Sequence, residues 1–499
     1  MKIINKILAL FCSFVFAFFA FVGCGGRVNL KKVSKKLTTY SIDAELFDAE
    51  KKICGSENVD YINNTGEELN SICFNLYGKA FSDGAKIKPY SMAKIEECFP
   101  NGINYGDMCV FNVCVNEKPV EINIVGEDNN AIEVPLLEPL RDGERVKISL
   151  EYELYLANCT HRLGYNNGKI NLGNWYPIVA VYENGGFDLS PYYSNGDPFY
   201  SDCANYNVTM VYDSKYNLSS SGEIHEESIV DGKKRSKYSA LAVRDFAMVL
   251  LSDFEIKTTE VDKIQISVIS KSGDEDIDLY LETARRSIDL FGQIFGSYPY
   301  KTLNVVFTDF FQGGMEYPNL VYISTTVTEL AEIKKVIIHE IAHQWWYGVV
   351  GNNEISCAWF DEGLAEYSTL LYYEHYTDEG VDTTKLVKDT RISYDLYIDV
   401  IKTLNIDIHY SMTLPLCDYF SEYEYVYMIY VKGLLFFDEL RSLLGDELFI
   451  KCLQGIYKEY SFKNINKEKF IEKVETISGM ELSEFVEGWL SGNVDISQN

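Results

Sequence analysis

The hydrophobic period of this chain changes once, near residue 256, and that change divides what it can fold into. Between about residues 38 and 255, apolar and polar residues alternate in short runs such as Val120–Ile124, Val146–Leu150 and Tyr206–Met210, with Gly, Asn and Asp turns between them. A period of two puts one face of a strand in a core and the other in water, and no helical period persists through this span. From Ile277 to Phe295 the pattern is different: Leu281, Ala284, Ile288, Phe291 and Phe295 recur at helical spacing and stop at Gly296. Two short apolar strands follow, Leu303–Thr308 and Leu320–Ser324. Thr326, three residues before Glu329, predicts a capping-box start for a long helix reaching about Trp346. From about residue 380 the chain reads as mostly helical, with strong segments at Val431–Leu444 and Leu482–Leu490. The expected organisation is a targeting segment over 1–23, an all-β domain over 24–255 and a mainly helical α+β domain over 256–499. A chain of 499 residues can hold two or three such cores.

The formal charge of -29 excludes one class of partner. With no basic surplus there is nothing to displace counterions from a phosphate backbone, so no nucleic-acid binding is expected. The same charge repels anionic lipid, so any membrane attachment has to be hydrophobic. The first residues offer one. Lys2 and Lys6 precede an apolar run from Ile7 to Val22, and Phe21-Val22-Gly23-Cys24 resembles the lipobox of bacterial lipoproteins, apart from Phe21 where Leu is usual. That resemblance implies lipidation of Cys24. An uncleaved signal anchor and plain secretion are the other readings, and each places the folded mass outside the cytoplasm. Of the twelve cysteines, ten lie beyond this segment, scattered from Cys54 to Cys452 without paired spacing. They read as small buried apolar residues, with Cys109–Cys114 the one pair close enough in sequence to suggest a bridge.

The chemistry is concentrated in His339-Glu340-Ile341-Ala342-His343. On a helix, positions i and i+4 share a face, so two imidazoles can reach one Zn²⁺. Glu340 falls beside the ion rather than on it, where it can take a proton from water that the metal has made acidic. The plain alternative is a buried helix with two satisfied histidines. A catalytic zinc takes three protein ligands, and Glu362 in Trp359-Phe360-Asp361-Glu362-Gly363-Leu364-Ala365-Glu366 supplies the third, nineteen positions after His343. Asp361 competes but points about 100° away around the helix. Glu366, one turn on, suits a role behind the ligands. Upstream, Gly313-Gly314-Met315-Glu316-Tyr317 precedes a short strand. Two glycines there let a peptide backbone approach an edge strand, and a glutamate can pair with a free α-ammonium, which makes an exopeptidase. Read without its neighbours, that segment is a turn. His161, His225, His375 and His409 have no partner spacing and read as surface or core residues.

At these residues the chain resembles the gluzincin zinc aminopeptidases related to aminopeptidase N and leukotriene hydrolase. The match is H-E-x-x-H, eighteen residues, then E, and it extends through His343-Gln344-Trp345-Trp346. The resemblance implies one zinc per chain on His339, His343 and Glu362, with Glu340 as general base. It implies that Glu316, in a segment the family writes G-x-M-E-N, anchors the substrate N-terminus, with Gly313, Gly314 and Met315 beside it and Tyr317 replacing the Asn. Tyr430-Val431-Lys432-Gly433 resembles the family's Y-x-K-G, so Tyr430 is expected to stabilise the oxyanion on the scissile carbonyl. Taken alone it is one core aromatic among Tyr423, Tyr425 and Tyr427. The implied fold is multidomain: a saddle- or sandwich-like β domain, then a thermolysin-like catalytic domain. The implied activity is release of N-terminal residues from peptides by a membrane-anchored bacterial enzyme, with an endopeptidase on the same site and an inactive surface-binding lipoprotein as alternatives. Many members carry a large helical domain over the cleft, and the end of this chain soon after Trp489 leads us to expect a more open one. Gly173-Asn174-Trp175-Tyr176-Pro177 and Gly196-Asp197-Pro198-Phe199-Tyr200 look like segments common in bacterial members and carry no chemistry derivable from their residues.

Overall fold

A computed structural model describes residues 28–406 and 408–492. Cys24 and the apolar segment before it lie outside the described residues. Among those described, no helix is long and apolar enough to cross a membrane.

The N-terminal part is built on an eight-stranded sheet whose centre is Ala204–Asp213, Thr39–Phe47, Lys52–Ile62 and Arg145–Tyr155. Thr39–Phe47 runs parallel to Ala204–Asp213 and antiparallel to Lys52–Ile62. Arg145–Tyr155 alternates buried and open residues along its whole length, so one face is core, as the period of two requires. Two four-stranded sheets complete a β-rich body. The Val120–Ile124 alternation does not make a strand of its own. Lys118–Pro119 pairs with Cys114 and Val115 at the edge of the large sheet, and Asn123–Val125 pairs with Ala131–Glu133 at the edge of another. The chain crosses between two sheet edges there, and the alternation continues across the gap. All ten cysteines in the described residues are free, and six are buried. Cys109 and Cys114 share one strand, which separates them by about 15 Å, too far to bridge.

The C-terminal part is centred on a five-stranded sheet in the order Glu255–Val261, Ile264–Ser270, Thr302–Thr308, Leu320–Ser324, Gly314–Met315. The two-residue edge strand Gly314–Met315 runs antiparallel to Leu320–Ser324 and closes the sheet beside the site. Helices follow: α1 (Ile277–Ile294), α2 (Leu330–Ala342), α3 (Asp361–His375), α4 (Thr383–Leu404) and α5 (Lys432–Leu444). A β-rich domain thus precedes a mainly helical region. The smaller β sheet holding Leu163–Asn166 and Lys169–Leu172 packs against the second sheet through polar locks. Thr308 Oγ1 donates to Asn171 Oδ1 at 2.6 Å, and Tyr322 Oη donates to the Met248 carbonyl at 3.0 Å.

The start and end of α2 differ from expectation. Thr326 does not cap it: its hydroxyl is held by Ser324 Oγ at 2.7 Å, at the end of the preceding strand, and the helix begins at Leu330 after Glu329, without a side-chain cap. It ends at Ala342 rather than Trp346, because Gln344 and Trp345 donate to carbonyls three residues back and tighten the turn. Tyr347 then takes φ +127, where the chain reverses.

Candidate active site

Helix α2 contributes His339 and Glu340 and carries His343 at its C-cap, and α3 packs beside it to bring up Glu362. The three ligand atoms form a triangle. His339 Nε2 stands 3.1 Å from His343 Nε2 and 3.1 Å from Glu362 Oε2, and His343 Nε2 stands 3.2 Å from Glu362 Oε2. Ligands about 2.0–2.1 Å from a tetrahedral zinc ion lie about 3.3–3.4 Å apart, so the triangle fits that ion with little adjustment. Two nitrogens and one carboxylate, all buried, are also the donor set of a catalytic rather than a structural zinc. Asp361, the competing carboxylate, is outside the triangle. It turns the other way, toward Glu354 and Asn352.

Groups behind the triangle set its orientation. His343 Nδ1 donates to the Trp346 carbonyl at 3.0 Å, which leaves Nε2 free to ligate. His339 Nδ1 lies 3.2 Å from Glu366 Oε1, within ion-pair reach but angled off a hydrogen bond. Glu366 also meets Lys335 at 3.3 Å; against burial, Lys335 and His339 hold its carboxyl down at about 2. Burial alone raises the Glu362 carboxyl, yet His343 and His339 keep it well below the carboxylate range. That residue is an anion in the folded chain, as a ligand must be.

Glu340 is 6 % exposed, and Gly314 of the edge strand explains how it fits. A Cβ on Gly314 would stand 2.3 Å from Glu340 Oε1 and 2.6 Å from its Cδ. The glycine therefore makes room for the chain's own Glu340 carboxylate. Gly313 is open, with nothing nearer its Cβ position than 3.8 Å. Burial pushes the Glu340 carboxyl up to about 7, although His339 and His343 oppose it. A carboxyl held near neutrality suits a general base.

Glu316 is 3 % exposed and its Oε1 has no partner. Burial raises its carboxyl well above the ordinary range, and Asp197 adds to the effect. The Met315 side chain does not face the cleft: it is fully buried and its Sδ accepts from Arg162 Nε at 2.9 Å. Tyr317, where the family has Asn, inserts into the β-rich domain. Its hydroxyl sits 1.9 Å from where a Gly173 Cβ would be, and its ring stacks on Phe199. The Gly173–Pro177 segment thus has a packing role, with Asn174 and Tyr176 both bonded to Asp245.

Asp197 is a site residue that sequence reasoning missed. Arg162 Nη2 pairs with it and with the Gly196 carbonyl at 3.1 Å, so the loop of the β-rich domain is pinned to Met315 of the edge strand through one guanidinium. Asp197 faces both Glu362 and Glu316; burial and Glu362 raise its carboxyl, and Arg162 holds it back. Its only sequence signal is a Gly-Asp-Pro turn, which has no distinguishing chemistry.

Tyr430 sits in a π-helical turn, Tyr427–Val431, immediately before α5. Its ring lies 5.9 Å from His339, nearly parallel, and its hydroxyl donates to Glu362 Oε1 at 2.5 Å. It therefore reaches the ligand group itself and not only the space above it. Of the four other histidines, His161 is buried and bonded to the Pro89 carbonyl at 2.9 Å, and burial lowers it to about 3. It is a core residue.

Residues 279–489 match the model of the peptidase family M1 domain. Among curated proteins, the chain is 26 % identical over 226 residues to aminopeptidase M1-B of Oryza sativa subsp. japonica, covering 42 % of this chain and 25 % of that one. It is 23 % identical over 232 residues to aminopeptidase N of Lactobacillus delbrueckii subsp. lactis, covering 44 % and 27 %. The chain thus spans about a quarter of the length of these two relatives. Among solved structures it resembles an M1 zinc metallopeptidase from Deinococcus radiodurans, with TM-score 0.65 and 19 % identity over 92 % of this chain and 94 % of that one. A mutant of that protein bound to a Tyr-Ser-Ala substrate gives the same TM-score, 0.65, at 18 % identity over 92 % and 94 %.

Proposed function

We propose that this chain, whose residues 279–489 match the peptidase family M1 domain, is an aminopeptidase that releases N-terminal residues from peptides. The observation that carries the reading is the buried Glu316 carboxyl, whose Oε1 has no partner and which interacts electrostatically with His343, Glu340 and Glu362. An unpaired buried acid is costly unless a cation completes it, and a free α-ammonium has the right charge and three donors. His339, His343 and Glu362 hold the zinc. When bound, zinc supplies the Lewis acid that polarises the scissile carbonyl and makes water nucleophilic at neutral pH.

The chain's own residues do the rest. Glu316 and Asp197 fix the ammonium, so the peptide is measured from its end and the first peptide bond is presented for cleavage. Glu340 takes a proton from the attacking water and returns it to the leaving amine. The Tyr430 hydroxyl, already beside Glu362, turns its proton toward the oxygen of the carbonyl as negative charge develops there. Burial of the Glu316, Asp197 and Glu340 carboxyls strengthens each of their interactions, and Tyr430 is half-buried beside them.

The test compares an aminoacyl-chromophore substrate with its N-acetylated form, on the wild type and on Glu316→Ala. Preference for the free amine in the wild type, lost in the variant with zinc retained, supports the reading. Equal cleavage of both forms by the wild type identifies an endopeptidase instead. The Tyr-Ser-Ala substrate named for the mutant Deinococcus protein is a short peptide, which fits this class.

The chain is also proposed to be held at a membrane outside the cytoplasm by a lipid on Cys24, a reading supported by the sequence pattern alone. Incorporation of a fatty-acid label that disappears in Cys24→Ala supports it, and an unlabelled wild type refutes it.

A further inference from the structure

A glycine stands in the first turn of each of the two helices that frame Tyr430, Gly363 in α3 and Gly433 in α5. They meet each other. A Cβ built on Gly433 of α5 lies 2.8 Å from the Gly363 Cα of α3, a backbone atom with no freedom to move aside. A Cβ built on Gly363 meets only the Phe437 ring edge at 3.0 Å and the Gly433 Cα at 3.3 Å. Gly363 follows the ligand Glu362 directly, and Gly433 is three residues beyond Tyr430. The point where the two helix backbones touch is therefore also the point that sets the distance from the Tyr430 hydroxyl to Glu362. Between them, Lys432 is fully buried and donates to the Tyr410 carbonyl at 2.8 Å, fixing the other side of the turn. The π turn over Tyr427–Val431 adds a residue to the helix just ahead of this contact, a feature that recurs where a helix must re-aim a functional side chain.

We propose that the Gly363–Gly433 backbone contact, set behind the π turn, is the device that seats the Tyr430 hydroxyl at the metal centre, with Gly433 as its positioning residue. The inference rests on the aminopeptidase reading. A methyl group on Gly433 has to move α5 away from α3 until the two carbons reach ordinary van der Waals separation, about 3.5–4.0 Å. That shift, of the order of 1 Å, takes a hydroxyl out of hydrogen-bond range and is enough to slow a reaction held by geometry. A methyl on Gly363 needs a smaller adjustment, because a ring edge can give.

A double-mutant cycle on the full zinc-loaded chain tests this. We expect Gly433→Ala to lower kcat at least tenfold, with KM within about twofold and one zinc per chain retained, and Gly363→Ala to do less. In a Tyr430→Phe background, which has no hydroxyl left to misplace, Gly433→Ala is expected to add less than about twofold. Multiplication of the two single effects overturns the proposal, because a merely structural glycine acts independently of the hydroxyl. If Gly433→Ala does not fold, Lys432→Met in the same two backgrounds reads the same coupling without adding volume at the contact, and additivity there overturns it equally. Should the wild type cleave no aminoacyl substrate, the functional reading fails, and a crystal structure of whichever variant folds decides the device separately. A Tyr430 hydroxyl beyond about 3.5 Å from Glu362 Oε1 supports it, and one retained within about 3 Å overturns it.

Discussion

The two halves of the site are built by opposite logics. The metal half is closed on itself: three ligand atoms 3.1 to 3.2 Å apart, backed by the Trp346 carbonyl and Glu366, with its donors on two packed helices. The substrate half is open in the chemical sense. Glu316 keeps a buried oxygen without a partner, Asp197 reaches in from the β-rich domain on Arg162, and Tyr430 arrives from a π turn. A half whose ligand atoms already converge holds an ion whether or not substrate is present. A half that leaves acids unpaired waits for a cation from outside. The difference predicts that damage to the first half abolishes zinc binding, whereas damage to the second changes what is cleaved and how fast while the metal stays.

The largest effect is expected from the metal half. His343→Ala should lose zinc, measured by metal analysis, and lower kcat/KM by more than ~10³-fold, since the Lewis acid goes with it. Glu340→Gln breaks the comparison at its boundary: zinc should stay at one per chain while kcat falls by ~10²–10⁴-fold, the usual contribution of a positioned general base. Loss of zinc in that variant would place Glu340 among the ligands. Asp197→Asn belongs to the substrate half and should weaken kcat/KM for free-amine substrates by ~10–100-fold, the scale of one hydrogen bond to a charged group, mainly through KM. Unchanged kinetics would remove Asp197 from the ammonium site.

The smallest effect concerns stability rather than catalysis. Burial lowers the Lys432 ammonium to about 7 in the folded chain, while the unfolded chain keeps it near the ordinary ~10.4. Between those values the unfolded state binds the extra proton, so stability should rise with pH, by at most about 1.4 kcal/mol per unit. Relative to Lys432→Met, the wild type should therefore gain stability in denaturant titrations run from pH 7 to 10. A flat difference contradicts the buried-ammonium account.

The metal half was legible in the sequence because its spacing is local. His339 and His343 are one helical turn apart, and Glu362 follows on the next long helix, so periodicity alone nearly places them. The fold class was legible for the same reason: the change from a period of two to a helical period near residue 256 is carried by dozens of residues at once. The substrate half was only partly legible. Glu316 is marked by its family segment, but Arg162 and Asp197 come from two separate loops more than a hundred residues upstream of the ligands, and nothing local marks them. The role of Gly314 was half read. The glycine spares room for Glu340, twenty-six residues later, and only packing reveals that. Thr326 obeyed the capping-box spacing but spent its hydroxyl on Ser324, a tertiary choice that no sequence pattern records. The π turn before α5 was likewise invisible, since Tyr427–Val431 continues the apolar pattern of an ordinary helix.

The account stands on one ion in one place. Anomalous diffraction at the zinc absorption edge, from crystals of the protein as purified, tests it directly. The account predicts a single strong peak per chain, about 2.0–2.1 Å from His339 Nε2, His343 Nε2 and Glu362 Oε2. A peak bound elsewhere, or a Glu362 side chain turned away from the two imidazoles, contradicts it.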